Sequence, residues 1–282
     1  MENKMKRVKV FKILQCDFVN WLTNYKMYLV LILLAYFLSN NFDSVFEFAR
    51  SARCRVTPWL LPFCFTHPFM RIVIFVCVVF LFSNAPFMTS FHTLFLSRTG
   101  KKQWYIAQII YLFICSILVT IFLAFYPVLC NASMIVTKGG WGKVLKTLAY
   151  NTDVVHPIVA SVINCYSAKD VMIYTLILCV LLFFFLGMVI FLCNVLFERQ
   201  VIGVLVACFF VILDWFAYLS GTKVLTWVSP ISWVEIASMA YGRDVTVPTI
   251  EYAIVCLVVV NVILMIGAYV ASQKRDINVI QN

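Results

Sequence analysis

Few residues in this 282-residue sequence are equipped for chemistry, and their spacing limits what kind. The three histidines, His67, His92 and His156, stand far apart, none opens a His-Glu-x-x-His pattern, and no Cys-x-x-Cys pair accompanies them. Clustered metal ligands are therefore not predicted. A phosphate-binding loop needs Gly-x-x-x-x-Gly-Lys-Ser/Thr, so that backbone amides surround the phosphate. "TKGGWGKV" (137–144) has glycines and a lysine at the wrong spacing, with Val144 where the hydroxyl should be. A Gly-x-Ser-x-Gly elbow is also missing. Asp214, in "VILDWFAYLSG", is the only acid deep in an apolar run, so a pair of catalytic aspartates is not built. The chain is not expected to be an enzyme, and intramembrane catalysis is the weakest of its function classes.

Three other groups of residues remain. Charge at depth in an apolar run is costly, about 2.5–3.5 kcal/mol on insertion scales. Asp214 then either faces a cavity or partner, or is hydrated near the headgroups beside Trp215 and Tyr218. Asn84, Asn194 and Asn261 read as hydrogen-bonding glue between helices, worth about 0.6 kcal/mol each. Of eleven cysteines, seven lie in or beside apolar runs as small packing residues. Cys54, Cys64, Cys130 and Cys165 fall in loops, two to a loop. They are either two disulfides, Cys54–Cys64 and Cys130–Cys165, or four free thiols.

The third group is a basic knot, Arg98, Lys101 and Lys102, set around Gly100 in "LFLSRTGKKQWYIAQII" (94–110). Before it comes Pro86, a helix breaker, and then a short apolar–polar stretch that Thr89 or Ser90 can cap and Gly100 can end. This predicts a short surface helix, followed by the aromatic pair Trp104–Tyr105. Anchoring at a membrane surface explains the charges. It does not explain sixteen residues (88–103) where four connect another helix pair (197–200).

The elements that must position these groups follow from composition. The chain is 63% hydrophobic and 12% charged, against about 25% charged in soluble domains. Lipid is the expected solvent for most of it. The net charge of +10 lies mainly in loops and brings no nucleic-acid motif with it, so nucleic acid is not an expected partner. A membrane-crossing helix needs about 20 mostly apolar residues. Six segments qualify, near 24–42, 68–87, 104–128, 171–196, 201–219 and 251–272. The first is the shortest, and spans only if Lys26 extends its amine to water. With both termini inside, the inner segments carry roughly twice the Lys/Arg density of the outer loops 43–67, 129–170 and 220–250. Within 129–170 a short helix is expected around Trp141 to Tyr150.

Residues 1–26 are basic, with no short apolar core and small-residue cleavage site following, so the first apolar run is expected to stay as a helix. Val8, Phe11, Leu14, Phe18, Trp21, Leu22 and Tyr25 recur at helical spacing, with Lys9, Lys12, Gln15, Asp17 and Asn20 opposite. The expected result is an amphipathic interfacial helix, acting as a lipid anchor or also meeting a cytosolic partner. The predicted fold is thus all-α: helix 1–26, a six-helix transmembrane domain 27–272, and a cytoplasmic tail 273–282.

This layout resembles the ABC-2 type permeases, the membrane subunits of one class of bacterial ABC exporter. The likeness rests on the N-terminal elbow helix, six spans with both ends inside, the segment "FMTSFHTLFLSRTGKKQWY" (87–105) between spans two and three, and the Pro-containing "VLTWVSPISWVEIASM" (224–239) before the last span. The resemblance implies a cell-membrane permease exporting a peptide, antibiotic or lipid-like compound. It implies a separate cytosolic ATPase, which holds the ATP, and a second copy or related permease. The coupling helix would be 87–103, with Phe91, Leu94 and Phe95 filling a groove on the ATPase and Arg98, Lys101 and Lys102 orienting it. This chain would bind no cofactor itself. The alternative function is a non-transporting scaffold or immunity protein whose outer loops bind ligands.

Overall fold

The computed structural model describes residues 2–85, 100–137, 139–151, 155–239 and 246–274, with the side chains of 2–9 and of 200 outside the description. The described residues are helical, without strands. In order they form α1 (Glu2–Thr23), α2 (Tyr25–Ser51), α3 (Pro68–Phe82), α4 (Lys101–Cys130), α5 (Gly142–Leu148), α6 (Ala160–Cys165), α7 (Ala168–Phe197), α8 (Gln200–Ser220), α9 (Lys223–Val228) and α10 (Ile250–Lys274). Short 3₁₀ turns occur at Leu61–Phe65, Ala132–Met134, Ile231–Val234 and Ile236–Ser238.

Five of these helices, α2, α4, α7, α8 and α10, are long and apolar enough to cross a membrane, the pattern of a multi-pass membrane protein. The sixth expected span differs. α3 is a 15-residue apolar helix, opened by Pro68 at its first position and ending at Phe82. At about 1.5 Å per residue it is roughly 22 Å long, short of a hydrocarbon core of about 30 Å. α2 differs in the other direction, running nine residues beyond the predicted end at 42.

α7 is the axis of the bundle. Its most apolar window is 67% buried, against 28% for α8 and 22% for α10. Apolar side chains on all sides of α7 therefore meet protein, and those on the outward faces of α8 and α10 are exposed. On α8 the outward stripe is Val201, Leu205, Phe209, Ile212, Phe216 and Leu219, all exposed. The opposite stripe, Gly203, Ala207, Val211, Asp214 and Ala217, is buried. Gly203 is required there, since a Cβ would stand 2.4 Å from Asn194 Oδ1 and 2.6 Å from the Ile190 carbonyl. Asn194 accepts from the Gly203 amide at 2.9 Å and donates to the Ala85 carbonyl, joining α7, α8 and the end of α3. Asn261 on α10 donates to the Leu181 carbonyl of α7 at 3.1 Å.

The loops at the far ends of α2, α4 and α8 fold into an ordered cap, here the loop pole. Val56 and Ile135 form a parallel bridge, with the Val56 amide donating to the Met134 carbonyl at 2.9 Å. Thr57 Oγ1 donates to the Trp141 carbonyl at 2.9 Å, and Trp141 Nε1 to the Tyr166 carbonyl at 2.9 Å. The short helix expected near Trp141 to Tyr150 is α5. The Leu61–Phe65 turn drives its side chains into the core, where Phe63 meets Trp141 and Phe65 meets Phe75.

At the opposite pole α1 lies against α4. Its buried side takes in part of the predicted apolar face, with Leu14, Phe18 and Trp21 packed against the core. It also takes in Asp17, which was expected on the polar face and is 1% exposed. The reason is a buried polar contact: Gln108 Nε2 of α4 donates to Asp17 Oδ2 at 3.0 Å. Phe18 meets Tyr111 edge-on beside it, with ring centroids 5.3 Å apart. Lys26 does not extend to water alone; its amine bonds Asn84 Oδ1 at 2.8 Å and stands over the Phe80 ring. Trp104 and Tyr105 are buried, Tyr105 bonding the Met265 carbonyl, so they hold α4 to α7 and α10 rather than forming an interfacial belt.

Candidate functional site

Arg71, Asp214 and Glu235 are drawn together into one ion cluster. Each reaches the cluster from a different element. α3 begins at Pro68, so Arg71 falls on its first turn, facing inward among Met70, Ile74 and Phe75. Asp214 lies on the buried stripe of α8, about 9 Å inside that helix's end at Ser220. Glu235 sits between the two 3₁₀ turns Ile231–Val234 and Ile236–Ser238. The buried neighbours Ile231, Trp233, Val234 and Ile236 fold this segment back onto α7 and α8, and so carry Glu235 inward.

Arg71 is the hub. Its Nε donates to Asp214 Oδ2 at 2.7 Å and its Nη1 to Glu235 Oε2, with a longer contact of 3.4 Å to the Phe65 carbonyl. The side chains of Arg71 and Asp214 are 3% and 2% exposed, and that of Glu235 is 20% exposed. Asp214 is therefore not hydrated at the headgroups; its partner is a guanidinium. Asp214 Oδ1 is buried and, among the described residues, has no hydrogen-bond partner. Burial pushes the Glu235 carboxyl above the usual carboxylate range, against the lowering pull of Arg71. A planar guanidinium with two carboxylates fixes three elements in one geometry. Such a network is expensive to desolvate, and deleting one partner leaves a buried unpaired charge.

Arg71 and Glu235 were not singled out in the sequence. Arg71 had a signal: past Lys26, it is the only Lys or Arg inside the predicted spans. Glu235 had none, because a loop acid in sequence is indistinguishable from a solvated one.

The other predicted site residues are distributed differently. Phe91, Leu94, Phe95 and Arg98 lie outside the described residues. Lys101 and Lys102 open α4, with Gly100 at its N-cap in a left-handed backbone conformation (φ 86°). Lys102 lines an apolar groove between α1 and α4 with Val10, Phe11, Leu14, Gln103 and Ile106. The four loop cysteines are free thiols, and neither Cys54–Cys64 nor Cys130–Cys165 is bridged. Cys64 points into the core, 4.0 Å from the Leu60 carbonyl, and burial pushes its thiol up; Cys54 is half-buried and Cys130 exposed.

Comparison with known proteins found no matching family, no matching curated protein and no matching solved structure.

Proposed function

We propose that the chain is the permease subunit of an ABC-2-like exporter, crossing the cell membrane six times with α3 as a short span and both termini cytoplasmic. A separate cytosolic ATPase would supply the phosphate chemistry and a second permease copy, or a related one, the other half of the pathway. The cargo would be a peptide, antibiotic or lipid-like compound. The observation that carries this reading is the joining of α1 to α4. Asp17–Gln108 and Phe18–Tyr111 tie the elbow helix to the helix that begins at Lys101. A push on the segment ending at Gly100 would then move α1 and α4 together. In this reading Phe91, Leu94 and Phe95 seat in the ATPase, and Arg98, Lys101 and Lys102 orient the contact.

Gentle detergent purification from the native cell is expected to bring down an ATPase. Charge reversal at Arg98 and Lys101 is expected to abolish ATP-driven export while leaving insertion intact. Unchanged export in that double variant would defeat the coupling assignment.

A second reading, a scaffold or immunity protein recognising ligands at the loop pole, is favoured by the ordered cap that Val56, Thr57 and Trp141 build there. Retention of function in cells deleted for the co-purifying ATPase would select it over the first.

A further inference from the structure

The ion cluster does not balance. With every member ionised it sets one cation, Arg71, against two carboxylates, Asp214 and Glu235, leaving one excess negative charge. Among the described residues, the charged groups acting on Asp214 and Glu235 are Arg71 and the pair themselves. His67 caps the start of α3 one turn away, and Lys223 on α9 is engaged with Thr246 Oγ1 at 2.9 Å; neither acts on the pair. The 3₁₀ turn at Leu61–Phe65 contributes only the Phe65 carbonyl, an acceptor that Arg71 already meets.

An excess charge at this depth costs several kcal/mol when nothing compensates it. Among the described residues no second cation compensates it, and a bound positive species would. A metal cation calls for several oxygen ligands, whereas among the described residues the cluster has one buried oxygen without a donor, Asp214 Oδ1. One oxygen suffices for a proton. The neutral hydroxyl it makes is far less costly to bury than a carboxylate. Access also exists: the Glu235 side chain, 20% exposed, connects the cluster to the loop pole.

We propose that Asp214 and Glu235 together bind one exchangeable proton across Arg71, making the cluster a proton site that fills and empties through Glu235 at the loop pole. The proton belongs to the pair, because two carboxyls on one guanidinium titrate as a unit. When it leaves, the cluster becomes anionic and the contact between α3, α8 and the 231–238 segment loses its charge balance. The site stands whether or not an ATPase drives the chain.

The test is infrared difference spectroscopy on the full-length protein in lipid nanodiscs, between mildly acidic and mildly alkaline buffers. The readout is the stretching band of a protonated carboxyl. Wild type is expected to show one such band, titrating above the ordinary carboxylate range. Asp214→Asn and Glu235→Gln are each expected to abolish it, since either leaves one carboxylate balanced by Arg71. Glu235→Asp, which keeps both carboxyls, is expected to retain the band with a shifted midpoint. This third variant keeps the test open if the neutral ones fail to fold. Absence of the band in wild type, its persistence in either neutral variant, or an unmoved midpoint in Glu235→Asp would overturn the proposal. A midpoint that follows sodium concentration would assign the site to a metal cation and overturn it equally.

Discussion

Among single residues, Arg71 has the largest consequence. Arg71→Met leaves Asp214 and Glu235 facing each other without a cation. Removal of one partner from a buried ion network costs about 3–5 kcal/mol, so a large fall in the thermal midpoint is expected in detergent. Combining Arg71→Met with Asp214→Leu and Glu235→Met removes every charge of the cluster, and most of that loss should return. A triple variant no more stable than Arg71→Met would show that shape, not charge, holds the cluster. The direction of the Glu235 shift gives a second expectation. Its carboxyl is raised in the folded chain, chiefly by burial, so the native state holds a proton that the unfolded chain releases. That stability is present below the ordinary glutamate value and is lost as pH rises through the raised one. Unfolding midpoints measured across mild pH should fall over that window in wild type, and the slope should be missing in Glu235→Gln. Asp214 could be picked out in the sequence because an acid within an apolar run has a cost that requires explanation. Its partners could not, because pairing a first-turn arginine with a loop glutamate 164 residues later is a fact of three dimensions.

At the scale of elements, helix identity was more legible than helix facing. The predicted segments 171–196 and 201–219 correspond to α7 and α8 because long apolar runs broken by "ERQ" (198–200) leave little choice. α1 shows the limit. Periodicity in residues 1–26 placed Leu14, Phe18 and Trp21 on the apolar face, and they dock, yet the docked side also carries Asp17 from the predicted polar face. A polar partner on α4 draws Asp17 inward, with Gln108 Nε2 donating to Asp17 Oδ2. Asp17→Ala removes a hydrogen bond to a charged group, worth about 1.5–3 kcal/mol. Hydrogen exchange should then speed along α1 while α7 remains protected; uniform acceleration would show instead that α1 is integral to the core. Gly203→Leu places a side chain against Asn194 Oδ1 and the Ile190 carbonyl, and overpacking of this kind costs about 1–3 kcal/mol. A loss of properly folded material on size-exclusion chromatography is expected, with a milder effect for Gly221→Leu, where nothing lies within 4 Å of the added Cβ and only the left-handed backbone resists.

For the whole molecule, the proposed topology puts the cap outside the cell. Cys130 is exposed at the loop pole, whereas Cys64 and Cys179 are buried. A membrane-impermeant maleimide should therefore label a Cys130-only variant in intact cells, and a Cys64-only variant after denaturation alone. Labelling of Cys130 only after permeabilisation would reverse the topology. The sequence by itself determined that this is an apolar, all-helical chain with lipid-length runs, because hydropathy and length act along the chain and need no partner. It also marked Asn194 and Asn261 as hydrogen-bonding glue between helices, and Asp214 as an acid that either faces a cavity or partner or is hydrated near the headgroups. Tertiary structure alone decided which bonds these groups form, that the 224–239 segment folds inward to deliver Glu235, that α3 stops at fifteen residues, and that the loop cysteines stand apart. The physical reason is that a buried charge is tolerated only where distant elements converge on it, and convergence is a property of the packed bundle.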